Sequence, residues 1–222
     1  MPPPLRPPLH LPPTDILIAE VALFLVVTLL SILIYHKTKE IYDLTKHDEI
    51  KHFRNIFLYF ALAYLFRLGH IFLIFVGELP RHVRGFSLLF VGYFSTMAIL
   101  SLAMTVVTRH FKFNNTTLLL HAIALLASIF VFITRSHHYL VIFQTILFAI
   151  ALLFVFIKSH KAVSSNRVTY ILLFLFWIIN IIAFTRSLLP LRLRIPLYVV
   201  SSLVFLWVYL RVKKRFVHGK TR

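Results

Sequence analysis

Arg67 and His70 stand three residues apart inside an otherwise apolar run over residues 53–76. A charge at membrane depth needs a partner or a water-filled cavity, because hydrocarbon cannot solvate it. Spaced i, i+3, the two side chains share a helix face. A guanidinium beside an imidazole can grip an anionic or hydrogen-bonding ligand through charge-assisted bonds. Compensating acid is scarce: Glu20 alone lies well inside an apolar run. A Glu20 to Arg67 pair is therefore the expected neutralisation.

Other polar residues fall at a similar level. At about 1.5 Å per residue from the outer surface, Glu20 lies ~8 Å deep on the first span, with His70 ~9 Å and Arg67 ~13 Å deep on the second. By the same rise Ser95 and Thr96 lie ~14 Å deep on the third, Gln144 ~8 Å on the fifth and Asn180 ~13 Å on the sixth. Glu20, Arg67, His70, Thr96, Gln144 and Asn180 are thus the candidate lining of a ligand pocket open to the outside. The competing reading is mutual pairing that locks the bundle, at about a kcal/mol per interhelical contact.

Several chemistries find little support. Zinc wants three or four converging ligands, and Glu78, His82, His137 and His138 sit in loops with Pro80 interrupting the first pair. His70 and His121 fall in opposite halves, which does not suit a shared haem. Hydrolysis by paired carboxylates needs two acids at one depth, and a proton pump needs a chain of them. The seventh span holds no lysine for a retinal. With no cysteine there is neither disulfide nor thiolate chemistry. No cofactor, metal or catalytic residue is expected, and the chain reads as a non-enzyme.

The elements that must position these residues are spans. The chain has 222 residues, 59% hydrophobic and 14% charged, against about 25% charged in soluble domains. Apolar runs near the roughly 20 residues a bilayer requires occupy 15–35, 53–76, 86–108, 116–134, 139–157, 168–189 and 195–212. The fold class is an all-α integral membrane protein, a bundle of seven transmembrane helices. Residues 1–13, with seven prolines, form an extracellular arm. Residues 14–212 form the membrane domain and 213–222 a basic cytoplasmic tail. Expected caps are Thr14-Asp15, Asn114-Asn115-Thr116, Ser136 and Ser164-Ser165-Asn166. Thr45 and Asp48 have capping-box spacing, starting the second helix near Lys46. Ile41 and Leu44 read as a loop turn that docks on the inner surface.

Sixteen Lys and Arg residues fall on the side of the tail and seven on the other. The positive-inside rule then places the N-terminus outside and the C-terminus in the cytoplasm of a multi-pass protein of the cell membrane. A net charge of +17 concentrated beside spans fits anionic lipid at the cytoplasmic face and a cytoplasmic protein partner. It does not suit nucleic acid, since no recognition motif accompanies it.

Residues 34–37 and 156–161 end their spans in similar basic steps, and 79–84 and 189–194 repeat a Leu-Pro start followed by two arginines. The pattern admits a degenerate 3+1+3 parallel repeat, and basic or proline residues at helix ends also arise without one. The layout resembles seven-helix receptor-like membrane proteins in topology. The trimeric intracellular cation channels share a 3+1+3 arrangement, but their glycine-rich kinks have no counterpart here, and the Pro-Gln step of the PQ-loop sugar exporters is absent. The functional expectation is a receptor-like or sensory module binding a small ligand or lipid headgroup. The alternative is a small channel or transporter built on the repeat.

Overall fold

The computed structural model describes residues 13–76, 81–107, 116–134, 137–158, 164–184, 190 and 193–219, with side chains over 13–73, 85–105, 117–134, 138–153, 168–183, 190 and 193–214. Seven helices carry the described residues: α1 (Thr14–Thr45), α2 (Asp48–Val76), α3 (Arg81–Val107), α4 (Thr116–Thr134), α5 (His137–Lys158), α6 (Ser164–Phe184) and α7 (Arg194–Gly219). Five segments are long and apolar enough to cross a membrane: Thr14–Thr45, Asp48–Leu73, Gly85–Thr105, Thr117–Thr134 and Arg194–Lys214. His138–Leu153 and Val168–Ala183 are shorter apolar stretches. Large apolar side chains such as Ile18, Leu29, Leu126, Ile133 and Leu203 point outward. Helices apolar on their outer faces as well as their inner ones belong in lipid.

Contacts between consecutive helices fix their directions. Phe66 of α2 stacks on Phe90 of α3, Tyr93 of α3 meets His121 of α4, and Phe130 of α4 meets Tyr139 of α5. Phe148 of α5 faces Trp177 of α6, and Asn180 of α6 bonds Ser201 of α7. Contacts climb one helix as they descend the next, from Tyr59–Phe94 to Phe66–Phe90, from Phe86–Phe132 to Tyr93–His121 and from Phe176–Phe205 to Asn180–Ser201, so these successive helices run antiparallel. α1 closes the ring by packing on α7. Six helices therefore enclose the core in the order α1, α2, α3, α5, α6, α7, while α4 lies outside, packed mainly against α3. Glycine permits the close α3–α4 approach: a Cβ at Gly85 would stand 2.8 Å from the Phe132 ring.

At the centre, Phe57, Phe60, Phe176 and Phe205 are almost wholly buried. Their ring centroids lie 4.8 to 6.4 Å apart, mostly edge to face, the arrangement that the ring quadrupole favours. Leu173, Phe24 and Tyr64 extend this layer.

Several element ends differ from the sequence expectation. α1 begins at Thr14 with Pro13 in the capping position and no side-chain cap bond, so Thr14 and Asp15 are first-turn residues. It then runs ten residues past Tyr35, making Ile41 and Leu44 helical. Thr45 does not cap α2, because its hydroxyl donates back to the Ile41 carbonyl at 2.9 Å. Lys46 instead ends α1 in the left-handed conformation, φ 53°, and α2 starts at Asp48. Arg54 of α2 lies over Tyr42 and Tyr35 of α1, tying the hairpin together. α3 starts at Arg81, α6 at Ser164, and α7 continues to Gly219, so much of the basic tail is helical. Asn114, Asn115 and Ser136 lie outside the described residues.

Candidate functional site

Polar side chains within apolar helices must find partners on neighbouring helices, and four helices of the ring solve this together. Tyr64 and Arg67 of α2, Ser95 of α3, Val141 and Gln144 of α5, and Trp177 and Asn180 of α6 line one cavity of about 20 Å³. That volume suits about one or two waters and no organic ligand of drug size. The spacing is the same on three helices: Tyr64 and Arg67, Val141 and Gln144, and Trp177 and Asn180 are each i, i+3 pairs on one face.

The wall is ordered by hydrogen bonds. Gln144 Nε2 donates to Ser95 Oγ at 2.6 Å and to Thr96 Oγ1 at 3.0 Å. Ser95 Oγ in turn donates to the Val91 carbonyl at 2.6 Å. Asn180 Nδ2 donates to the Phe176 carbonyl at 2.7 Å and to Ser201 Oγ at 2.8 Å. Because a carbonyl can only accept, these bonds fix which end of the amide carries the oxygen. That oxygen, Asn180 Oδ1, is buried with no hydrogen-bond partner, and so is the indole Nε1 of Trp177. Trp177 and Asn180 are 6% and 3% exposed. Each such orphan costs about 1–3 kcal/mol, and a water is the hydrogen-bonding occupant that the volume of the adjoining cavity suits. Arg67, half-buried, places its guanidinium over the Tyr64 ring, 5.3 Å from the centroid.

Of the residues expected from sequence, Arg67, Gln144 and Asn180 line the cavity, and Thr96 supports Gln144 from behind. Glu20 on α1 and His70 on α2 are half-buried, each engaged by a neighbour, and neither is among the cavity's described lining residues. Glu78 and the side chains of His82 and His137 lie outside the described residues. Tyr64 and Trp177 were not anticipated. Their i, i+3 spacing from Arg67 and Asn180 is the signal that points to them.

Towards the other end of the bundle the interior turns aromatic, with buried polar residues such as Ser101, Thr105 and Thr169 beyond it. Seven residues separate Phe60 from Arg67 on α2 and four separate Phe176 from Asn180 on α6, so the aromatic layer begins directly beneath the cavity. Beyond it Tyr170 OH donates to Thr105 Oγ1 at 3.2 Å and Thr105 to the Leu102 carbonyl at 2.6 Å. Those groups are satisfied among themselves. His121 meets Tyr93 at 2.6 Å on the α3–α4 side, away from the ring's interior.

Over 228 aligned residues the chain is 30% identical to an uncharacterized protein of Archaeoglobus fulgidus, across 97% of this chain and 100% of that one. No family model matches the chain. No solved structure matches it.

Proposed function

The chain belongs to the same family as that Archaeoglobus fulgidus protein, and we propose that it is a non-enzymatic, receptor-like membrane module binding a small ligand at the Arg67 cavity. It spans the cell membrane seven times with the N-terminus outside. α5 and α6 have 22 and 21 residues, about 33 and 32 Å at 1.5 Å per residue, enough to join the other five spans. The sixteen-to-seven division of basic residues sets the orientation. The cavity then opens in the outer half, and the basic helix end of α7, with the projecting α1–α2 hairpin, addresses anionic lipid or a protein partner in the cytoplasm.

The observation that carries this reading is one-sidedness. A permeation path needs hydrophilic lining along its whole length, whereas here the polar cavity rests on the Phe57, Phe60, Phe176 and Phe205 layer. A cavity of about 20 Å³ is too small for a whole lipid headgroup.

The test pairs two measurements on the purified protein in liposomes. The module reading expects a small solute that raises the melting temperature of the wild type and not of Arg67→Gln, with no solute or ion flux above protein-free vesicles. Flux that Arg67→Gln abolishes would overturn it in favour of a channel or transporter.

A further inference from the structure

A second and far larger cavity lies on the other side of α5 and does not involve Arg67. At 3.6 residues per turn, Val141 and Gln144 share the face turned to the polar cavity. Ile142, Phe143 and Ile146 fall on the opposite face, where they meet α4 in a groove of about 440 Å³. Val131 and Leu140 are its almost wholly buried floor, and Leu126, Phe130, Ile142 and Ile146 are its exposed rims. Behind it α3 receives both helices at one glycine: a Cβ at Gly92 would stand 3.5 Å from Ser128 Oγ of α4 and 3.6 Å from the Leu140 side chain of α5. At one end the Phe130 and Tyr139 rings meet across the gap, centroids 5.7 Å apart. From that pair the lining runs back along α4 to Ile123 and on along α5 to Ile146, about 10 Å at 1.5 Å per residue. The groove therefore follows the helix axes, the direction in which lipid chains run in a bilayer.

We infer that this groove holds one hydrocarbon chain of a membrane lipid, with the lipid's polar head at the Tyr139 end. Tyr139 has the one polar side chain among the described lining residues and stands in the first turn of α5, and tyrosine is a residue of the membrane–water interface. The groove is thus polar at one end and apolar along the rest, in the same sense as a lipid. A helix of a second copy suits it less. Between apolar helices in lipid, association draws on small residues that let backbones approach and on interhelical hydrogen bonds, whereas the rims here are leucine, phenylalanine and isoleucine, with Ala127 the one small residue in the lining. A flexible chain follows so uneven a wall, and it fills the side of α4 that its packing on α3 leaves open. With the orientation proposed above, the lipid belongs to the outer leaflet.

The test uses the full chain in bilayers doped with a phospholipid that carries a photoreactive diazirine in one acyl chain, with adducts mapped by peptide mass spectrometry. Groove residues are expected to be labelled at least about tenfold more than Val199 and Leu203, exposed residues of α7, the ratio that a preference of ~1.4 kcal/mol over bulk lipid gives. In detergent, labelling of the groove is expected to saturate at one lipid per chain. Ala127→Trp, which puts an indole into the groove, is expected to lower labelling there and leave α7 unchanged. If that variant does not fold, saturation in the wild type still decides the matter. Equal labelling of the groove and α7, or groove labelling that rises without saturating, would overturn the bound chain. An unlabelled groove, with Leu126→Cys forming a disulfide between two copies, would assign the groove to a second copy and overturn the proposal as well. None of these results bears on the Arg67 cavity, so the two readings fail separately.

Discussion

At the scale of single residues the site depends on Gln144, which holds α5 to α3 through two buried hydroxyls. Gln144→Leu removes both bonds while keeping much of the volume. Ser95 keeps its own bond to the Val91 carbonyl, so the loss is confined to net hydrogen-bond energy, about 1–3 kcal/mol for the pair. The expected outcome is a lower melting temperature in detergent, and Ser95→Ala in the Gln144→Leu background adds less than it does alone, since the two are coupled. Full additivity would show that the bond contributes nothing. Arg67, Gln144 and Asn180 were legible in the sequence because a polar residue stands out in an apolar run. Tyr64 and Trp177 were not, because aromatic residues make up 15% of the chain and a lining ring looks like a packing ring. Depth put Glu20 and His70 level with the cavity, and they are not among its described lining residues.

At the scale of elements the aromatic layer separates the polar cavity from a half where Tyr170 and Thr105 bond each other and where Ser31 Oγ and Thr169 Oγ1 are buried without a partner. Phe176 sits at its hub, in contact with Phe60, Tyr64 and Phe205. Phe176→Ala is expected to cost about 3–5 kcal/mol, the usual range for emptying a buried phenylalanine site, and Phe176→Leu much less. Equal stability of the two by thermal denaturation would show that the layer is not packed as described. Helix existence was plain from hydropathy, and α4 has the boundaries expected from it. The ends elsewhere were not, because hydropathy marks where lipid stops and a helix stops for other reasons. α1 continues through Lys37, Lys39 and Glu40, good helix formers in water. Arg54 grips its extension from α2 through Tyr35 and Tyr42. Arg194, read as a loop base, opens α7 and is buried.

At the scale of the whole molecule, the account joins a six-helix ring, a peripheral α4 and, among the described residues, a polar cavity near the end where α1 begins. Orientation is tested with the chain's natural lack of cysteine as the background: single cysteines at Arg6 and Lys220 are expected to react with a membrane-impermeant thiol reagent from opposite faces of sealed vesicles. Reaction of both from the same face would contradict seven spans. The ring order itself could not be read from one sequence, since every helix is apolar enough to neighbour any other.

The central claim, a polar cavity open to the outside and closed from the cytoplasm, is tested most directly by Ala63→Cys. Ala63 lines the cavity and is 2% exposed, and cysteine is close to it in size. In sealed vesicles of known orientation, silver ion, a thiol-reactive species small enough for a cavity of about 20 Å³, is expected to react with this cysteine from the outer face, more slowly with a bound ligand, and to leave it untouched from the cytoplasmic face. Modification from both faces, or from neither, would contradict the account.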